Sequence, residues 1–225
     1  MKGPKTFEIP KISGLEIRPE LAASKAIQTP FMRQWFAAKE RYPEALIFFR
    51  MGDFYELFLD DAVRGSRVLG LTLTSRNKGE PDEIPMAGAP HHNSHTYVAR
   101  ALAAGISVAI CEQMADPAKC KGIVPREVVR VITPGLVVDE HSLDARQNHF
   151  LVSVESTDAG VGLAALDHST GELLACAVPD ATSALAEIAR LDPREVLLGP
   201  GVHTLAEAVA ALSGRIAIRR EHAAL

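Results

Sequence analysis

Short apolar runs punctuated by turn residues dominate the first half of the chain. Ala45-Leu46-Ile47-Phe48-Phe49 is brief, apolar and aromatic-rich, which predicts a strand. A turn at Met51-Gly52-Asp53 follows, and Phe54 to Phe58 then reads as the return strand of a hairpin. In such a strand Phe54 and Glu56 share one face while Tyr55 and Leu57 point to the other. A strand that turned only apolar groups inward would not need Glu56 beside Phe54.

The flanking segments predict helices and further strands. Thr29-Pro30 is an N-cap followed by proline at the first helical position, so a helix runs to about Arg41 with Phe31, Trp35 and Phe36 on its buried stripe. Asp60-Asp61 is expected to cap a helix ending at Leu69, with Gly70 as its stop. Leu71 to Leu73 predicts a short strand, Thr74 to Asp82 a polar loop, and Ile84 to Ala87 a return to the sheet. Ser94 is expected to cap a helix ending at Gly105, and Ser107 to Gln113 is β-rich. Glu127 to Thr133 also has strand character. From His149 the pattern changes to three strands (149–155, 161–168, 172–178) joined by short turns. Helix 182–191, strand 195–198, helix 205–212 and strand 215–219 follow. A three-strand meander and then αβαβ is the order expected of a ribonuclease-H-like fold.

Composition narrows the class. With 225 residues, 47% apolar and 23% charged, the chain suits one or two globular domains. No apolar run approaches the ~20 residues needed to span a bilayer. Residues 1–20 carry Lys2, Lys5, Lys11 and Arg18 but no apolar core, which excludes a secretory signal there and predicts a flexible lead-in. Cys111, Cys120 and Cys176 are odd in number and widely spaced, the usage of reduced thiols. The net charge of −4 hides an asymmetry: residues 1–130 hold 18 Lys and Arg against 15 Asp and Glu, a net +3, and residues 131–225 hold 6 against 13, a net −7. The first part can meet phosphates; the second is unsuited to lying on a duplex.

A ring and a carboxylate on one strand face suit a surface that wedges between DNA bases and hydrogen-bonds a base edge. Arg50 to Phe58 (RMGDFYELF) resembles the mismatch-recognition segment of the MutS family of DNA mismatch-repair proteins. Thr29-Pro30-Phe31-Met32, Ile84-Pro85-Met86-Ala87-Gly88, Val108 to Gln113 and Val131-Ile132-Thr133-Pro134-Gly135 also look like family signatures, in the family's order. The resemblance runs from Thr29 onward and is strongest to about Glu140. It implies an α/β fold: a mixed-sheet mismatch-binding domain, then a ribonuclease-H-like connector domain incomplete at the C-terminus. The expected division is a lead-in over 1–28, a mismatch-recognition domain over 29–120, a linker over 121–145 and the connector over 146–225. The implied roles are a base wedge for Phe54 and a hydrogen bond to the displaced base for Glu56. Arg76 and Lys78 are candidates for backbone contacts, Arg76 matching a basic position of the family and Lys78 lying where loop length varies.

The resemblance further implies mismatched duplex DNA as partner, a MutL-type protein meeting the connector, a homodimer, and a cytoplasmic, nucleoid-associated location for the intact protein. ATP and magnesium are implied for that full-length protein only. No Gly-x-x-x-x-Gly-Lys-Ser/Thr phosphate loop occurs in the 225 residues, so the chain is expected to be a fragment without catalytic residues of its own. Two rivals have specific signals. Asp167 falls late in a strand, near where nucleases of the ribonuclease-H fold keep a metal-binding aspartate, but two-metal hydrolysis needs several convergent carboxylates and only Glu155, Glu172 and Asp192 are at hand. Asp167 is therefore read as a strand-end residue. An interaction domain without mismatch activity is the other rival, and the intact Phe54-x-Glu56 argues against it. His91, His92, His95, Cys111 and Cys120 do not have the spacing of a zinc finger.

Overall fold

The computed structural model describes residues 7–135, 148–213 and 216–220. The chain divides into two compact units, residues 1–101 with 107–132 and residues 102–106 with 133–225. Expectations for residues 1–6, for 136–145 of the linker and for Arg215 lie outside the described residues.

The first unit is built on a six-stranded mixed sheet. Its strands are β1 (Leu46–Met51), β2 (Phe54–Phe58), β3 (Leu73–Arg76), β4 (Ile84–Pro90), β5 (Val108–Gln113) and β6 (Arg126–Ile132), in the order β3-β4-β2-β1-β5-β6. β1 and β5 run parallel; the other neighbours are antiparallel. Its helices are α1 (Pro19–Ala22), α2 (Pro30–Arg41), α3 (Leu59–Leu69) and α4 (Ser94–Ala103).

Helix α2 starts where the sequence places it: the Thr29 side chain accepts from the Met32 N–H, and Pro30 occupies the first turn. Its buried side chains cover one face of the sheet, here called the front. Phe31 meets Phe49 and Phe58 edge-on at centroid distances of 5.2 and 5.4 Å, and Trp35 meets Phe58 at 6.3 Å. α3 packs on β2 and β4, where Leu57 faces away from Phe54 and Glu56. Gly65 lets α3 lie close to β2: a Cβ at that position would come within 2.6 Å of Leu57 Cδ2 and displace that side chain. Gly70 ends α3 in the left-handed conformation, as predicted.

Several expectations change. Asp60 and Asp61 do not cap α3, whose N-cap is Phe58 with no side-chain bond. Asp61 instead is buried, pairs with Lys39 Nζ at 2.7 Å and accepts the Ile47 N–H at 3.0 Å. Arg76 ends strand β3 instead of lying in a loop. Residues of the expected lead-in pack against α2 and its neighbours: Ile12, Leu21 and Ile27 are buried in the same core. Within the span expected as linker, Arg126–Ile132 forms the edge strand of the first sheet.

The second unit carries β7 (Phe150–Thr157), β8 (Gly160–Asp167), β9 (Glu172–Val178), β10 (Glu195–Leu198) and β11 (Ala217–Arg220), with α5 (Ala181–Leu191) and α6 (Ala206–Leu212). The strand order is β11-β10-β7-β8-β9. β7, β8 and β9 form the predicted antiparallel meander, and β10 and β11 run parallel to β7. Ala184 and Ile188 of α5 and Val209 of α6 share one core with Val152, Val154, Leu163, Ala165, Val196 and Leu198. Asp180 caps α5 by accepting the Ser183 N–H at 2.8 Å.

Candidate nucleic-acid interface

The hairpin β1–β2 sets the geometry of the site. Glu56 lies opposite Phe49, Tyr55 opposite Arg50 and Phe54 opposite Met51, so the turn falls at Gly52-Asp53. Gly52 adopts φ 55°, a conformation costly for other residues. Strand alternation does the rest. Phe54, Glu56 and Phe58 share the front face with Phe49, while Tyr55 and Leu57 are buried on the back. α2 reaches far enough to bury Phe58 completely but leaves Phe54 47% exposed. An exposed phenylalanine at the tip of a well-packed hairpin is held there by the fold, not by burial of its own surface. Its ring lies over Gly88 of β4, where a Cβ would sit 3.7 Å from Phe54 Cδ1.

Glu56 is half-buried between the exposed ring and the aromatic cluster under α2. Burial pushes its carboxyl above the usual carboxylate range, against the opposing pull of Arg76 and then Arg126. Both guanidinium groups rest on the same aromatic floor. Arg76 Cζ stands 4.8 Å from the Phe31 centroid, and Arg126 Cζ stands 5.4 and 5.2 Å from Phe31 and Phe49. Arg126 is further fixed through Nε–H to the Arg50 carbonyl at 2.8 Å and Nη1–H to the Val124 carbonyl at 2.9 Å. The front face beyond α2 thus presents a ring, a readily protonated carboxyl and two cations within one patch.

Of the predicted residues, Phe54, Glu56 and Arg76 come together. Lys78 does not join them: it is exposed in the turn after β3, and its charge acts on Glu83. Arg126 is the residue sequence reasoning missed. It stands 72 positions from Phe54 and reaches the site only because β6 pairs with β5 and β5 with β1. Alternation along 126–132 could signal a strand, but nothing local names its neighbours.

The other candidates do not build a site. Asp167 is fully buried, and Oδ1 accepts from Ser169 N–H at 2.9 Å and Ser169 Oγ–H at 2.6 Å. Burial pushes its pKa upward, but these hydrogen bonds outweigh it and hold the carboxyl below the usual range. This is a turn-closing aspartate at the end of β8, as the sequence reading has it. The three cysteines are free thiols, and burial pushes that of Cys111 up to about 12. Among the described residues no group of three His, Cys, Asp or Glu side chains is placed to hold an ion. Among them, too, no helix is long and apolar enough to cross a membrane.

Comparison with known proteins agrees with this geometry. Residues 29–141 match the family model for MutS domain I, and residues 149–224 match that for MutS domain II. The DNA mismatch repair protein MutS of Sorangium cellulosum (strain So ce56) is 56% identical over 210 residues, covering 89% of this chain and 23% of that protein. The DNA mismatch repair protein MutS of Desulfatibacillum aliphaticivorans is 48% identical over 184 residues, covering 82% of this chain and 21% of that protein. The chain therefore spans less than a quarter of the length of these relatives. Two matched domains in the family's order, each on its own sheet, leave one assignment: the chain belongs to the MutS family and carries its domains I and II.

Proposed function

We propose that the first unit binds duplex DNA at mispaired or unpaired bases, with Phe54 as wedge and Glu56 as hydrogen-bonding partner of the displaced base. The observation that carries this reading is the exposed Phe54 ring beside the half-buried Glu56 on one strand face. Unstacking a base step costs roughly a few kcal/mol, and less where the pair is already defective. Every duplex offers the same phosphates, so a wedge discriminates by how readily a step deforms. Phenylalanine has no polar group with which to demand one base, which suits acceptance of many mispairs. Glu56 would be repelled near phosphates as an anion. Its raised pKa supports a carboxyl that takes a proton and donates to a base acceptor, or accepts from a base amino group.

Arg76 and Arg126 flank the carboxyl and are the phosphate contacts this reading assigns, with Lys78 a peripheral one. The chain acts by binding, and no step here is routed through nucleotide hydrolysis. ATP, magnesium, a homodimer, and contact of the second unit with a MutL-type protein belong to the same proposal for a longer polypeptide. So does work in the cytoplasm.

The test compares duplexes identical except for one unpaired thymine, at fixed salt, for wild type and Phe54→Ala. The expected outcome is a preference for the defective duplex that falls about 5- to 150-fold in Phe54→Ala, the loss of one base–aromatic stack of about 1–3 kcal/mol. Equal binding of both duplexes by both proteins would overturn the wedge in this chain.

A further inference from the structure

The aim of the Phe54 ring depends on the backbone of its hairpin, because the ring lies over a glycine that offers no side-chain wall. Three hydrogen bonds hold the turn locally. Arg50 Nε–H donates to the Gly52 carbonyl at 2.6 Å, Arg126 Nε–H to the Arg50 carbonyl at 2.8 Å, and the His91 N–H to the Asp53 carbonyl at 2.8 Å. A fourth bond is of another kind. The Tyr55 hydroxyl donates to Glu112 Oε1 on β5, although β1 lies between β2 and β5. Tyr55 faces Arg50 across β2–β1, and Phe49 faces Cys111 across β1–β5. Tyr55, Arg50 and Glu112 therefore form one row on the back face, directly behind the front patch.

The row is tightly built around the phenol. Tyr55 is 4% exposed; its ring centre lies 5.8 Å from that of Phe48, 5.4 Å from that of His91 and 5.6 Å from Arg50 Cζ. Burial, then Glu112, pushes the phenol pKa far above its ordinary value, so the hydroxyl remains a donor at any working pH. Glu112, by contrast, also borders an open cleft of about 640 Å³ lined by Arg50, His91, Gln113 and Met114. Water in that cleft can solvate Glu112 if the phenol is lost. Removing the phenol hydroxyl therefore strands no buried carboxylate, and the bond's effect is read in local geometry.

We infer that Tyr55 and Glu112 are positioning residues for the wedge: their bond across β1 fixes the turn end of β2 against β5 and so aims Phe54. The inference rests on the wedge reading of Phe54. β2 is already paired with β1 and β4; the side-chain tie to β5, two strands away, adds a restraint across the sheet that backbone pairing alone does not supply. Without it the ring samples several directions, and ordering it again weakens binding only where the ring inserts. Intact duplex, held through phosphates, is bound as before.

The experiment uses the 225-residue chain with 4-fluorophenylalanine at position 54 alone, followed by ¹⁹F NMR without DNA. Unlabelled variants are assayed on the two duplexes described above. Wild type and Glu112→Gln, whose amide oxygen still accepts the phenol, should give one sharp resonance. Tyr55→Phe and Glu112→Ala should shift or broaden it and lose about five-fold of the preference for the defective duplex, with intact-duplex affinity unchanged. A resonance unmoved in Tyr55→Phe and Glu112→Ala overturns the clamp, whether or not the chain binds DNA. A preference untouched by Phe54→Ala, with the resonance responding as expected, overturns the wedge reading and with it the positioning role. Should Tyr55→Phe melt far below wild type, the contrast between Glu112→Gln and Glu112→Ala decides.

Discussion

Glu56 has a pH response with a definite sign. Its folded pKa lies above the unfolded value because burial outweighs the two arginines. Its favourable contribution is therefore complete below the unfolded pKa and is lost as pH rises through the folded one. Glu56→Gln cannot ionise, so it should melt about 1–2 °C above wild type at pH 7 and no higher near pH 4, as calorimetry at both pH values would reveal. The binding consequence follows the same proton. Affinity of wild type for the defective duplex should rise as pH falls toward the carboxylate range, and Glu56→Gln should flatten that slope. A flat wild-type profile would leave the accepting role alone for Glu56. At this scale the sequence was readable where alternation governs, because Phe54-x-Glu56 needs only a strand to share a face. It was silent on Arg126, whose position depends on two strand pairings that no local pattern encodes.

Between elements, the decisive contact is buried and ionic. Lys39 of α2 donates to Asp61 of α3 and to the Ala45 carbonyl, and Asp61 accepts the Ile47 N–H of β1. Both side chains are almost fully buried, at 5% and 3% exposure. Asp61→Ala would strand the Lys39 charge and the Ile47 N–H, a loss of about 3–5 kcal/mol. Urea titration should show a lower midpoint, while Lys39→Met with Asp61→Leu should restore most of it. The same pair explains an error of sequence reading. Asp60-Asp61 before an apolar stripe has the signature of a cap, yet the helix begins at Leu59 and turns Asp61 inward. Propensity finds that a helix is there; only packing decides which end a carboxylate serves. Thr29-Pro30 and Gly70 were readable because capping and the left-handed stop are local events. Arg126–Ile132 was readable as a strand but not as the edge of the first sheet, since register with β5 is a tertiary fact.

Over the whole chain, charge is divided as the proposed work requires, with net +3 over residues 1–130 and −7 over residues 131–225. With Arg76, Arg126 and Lys78 as the phosphate contacts, the slope of log K against log salt should be about −2.7, and each Arg→Ala change should reduce it by about 0.9. Phe54→Ala should leave the slope unaltered while removing most of the preference, which separates attraction from discrimination in one titration series. A slope unmoved by Arg126→Ala would remove that residue from the interface. The aromatic packing of α2 has one more use. Trp35 is the sole tryptophan, fully buried, and touches Phe58 of the strand that begins with Phe54. Fluorescence emission from this chain therefore reports on the first unit alone, with no label added. A shift in its wavelength or lifetime when a defective duplex is added would be an optical record of β2 moving under load.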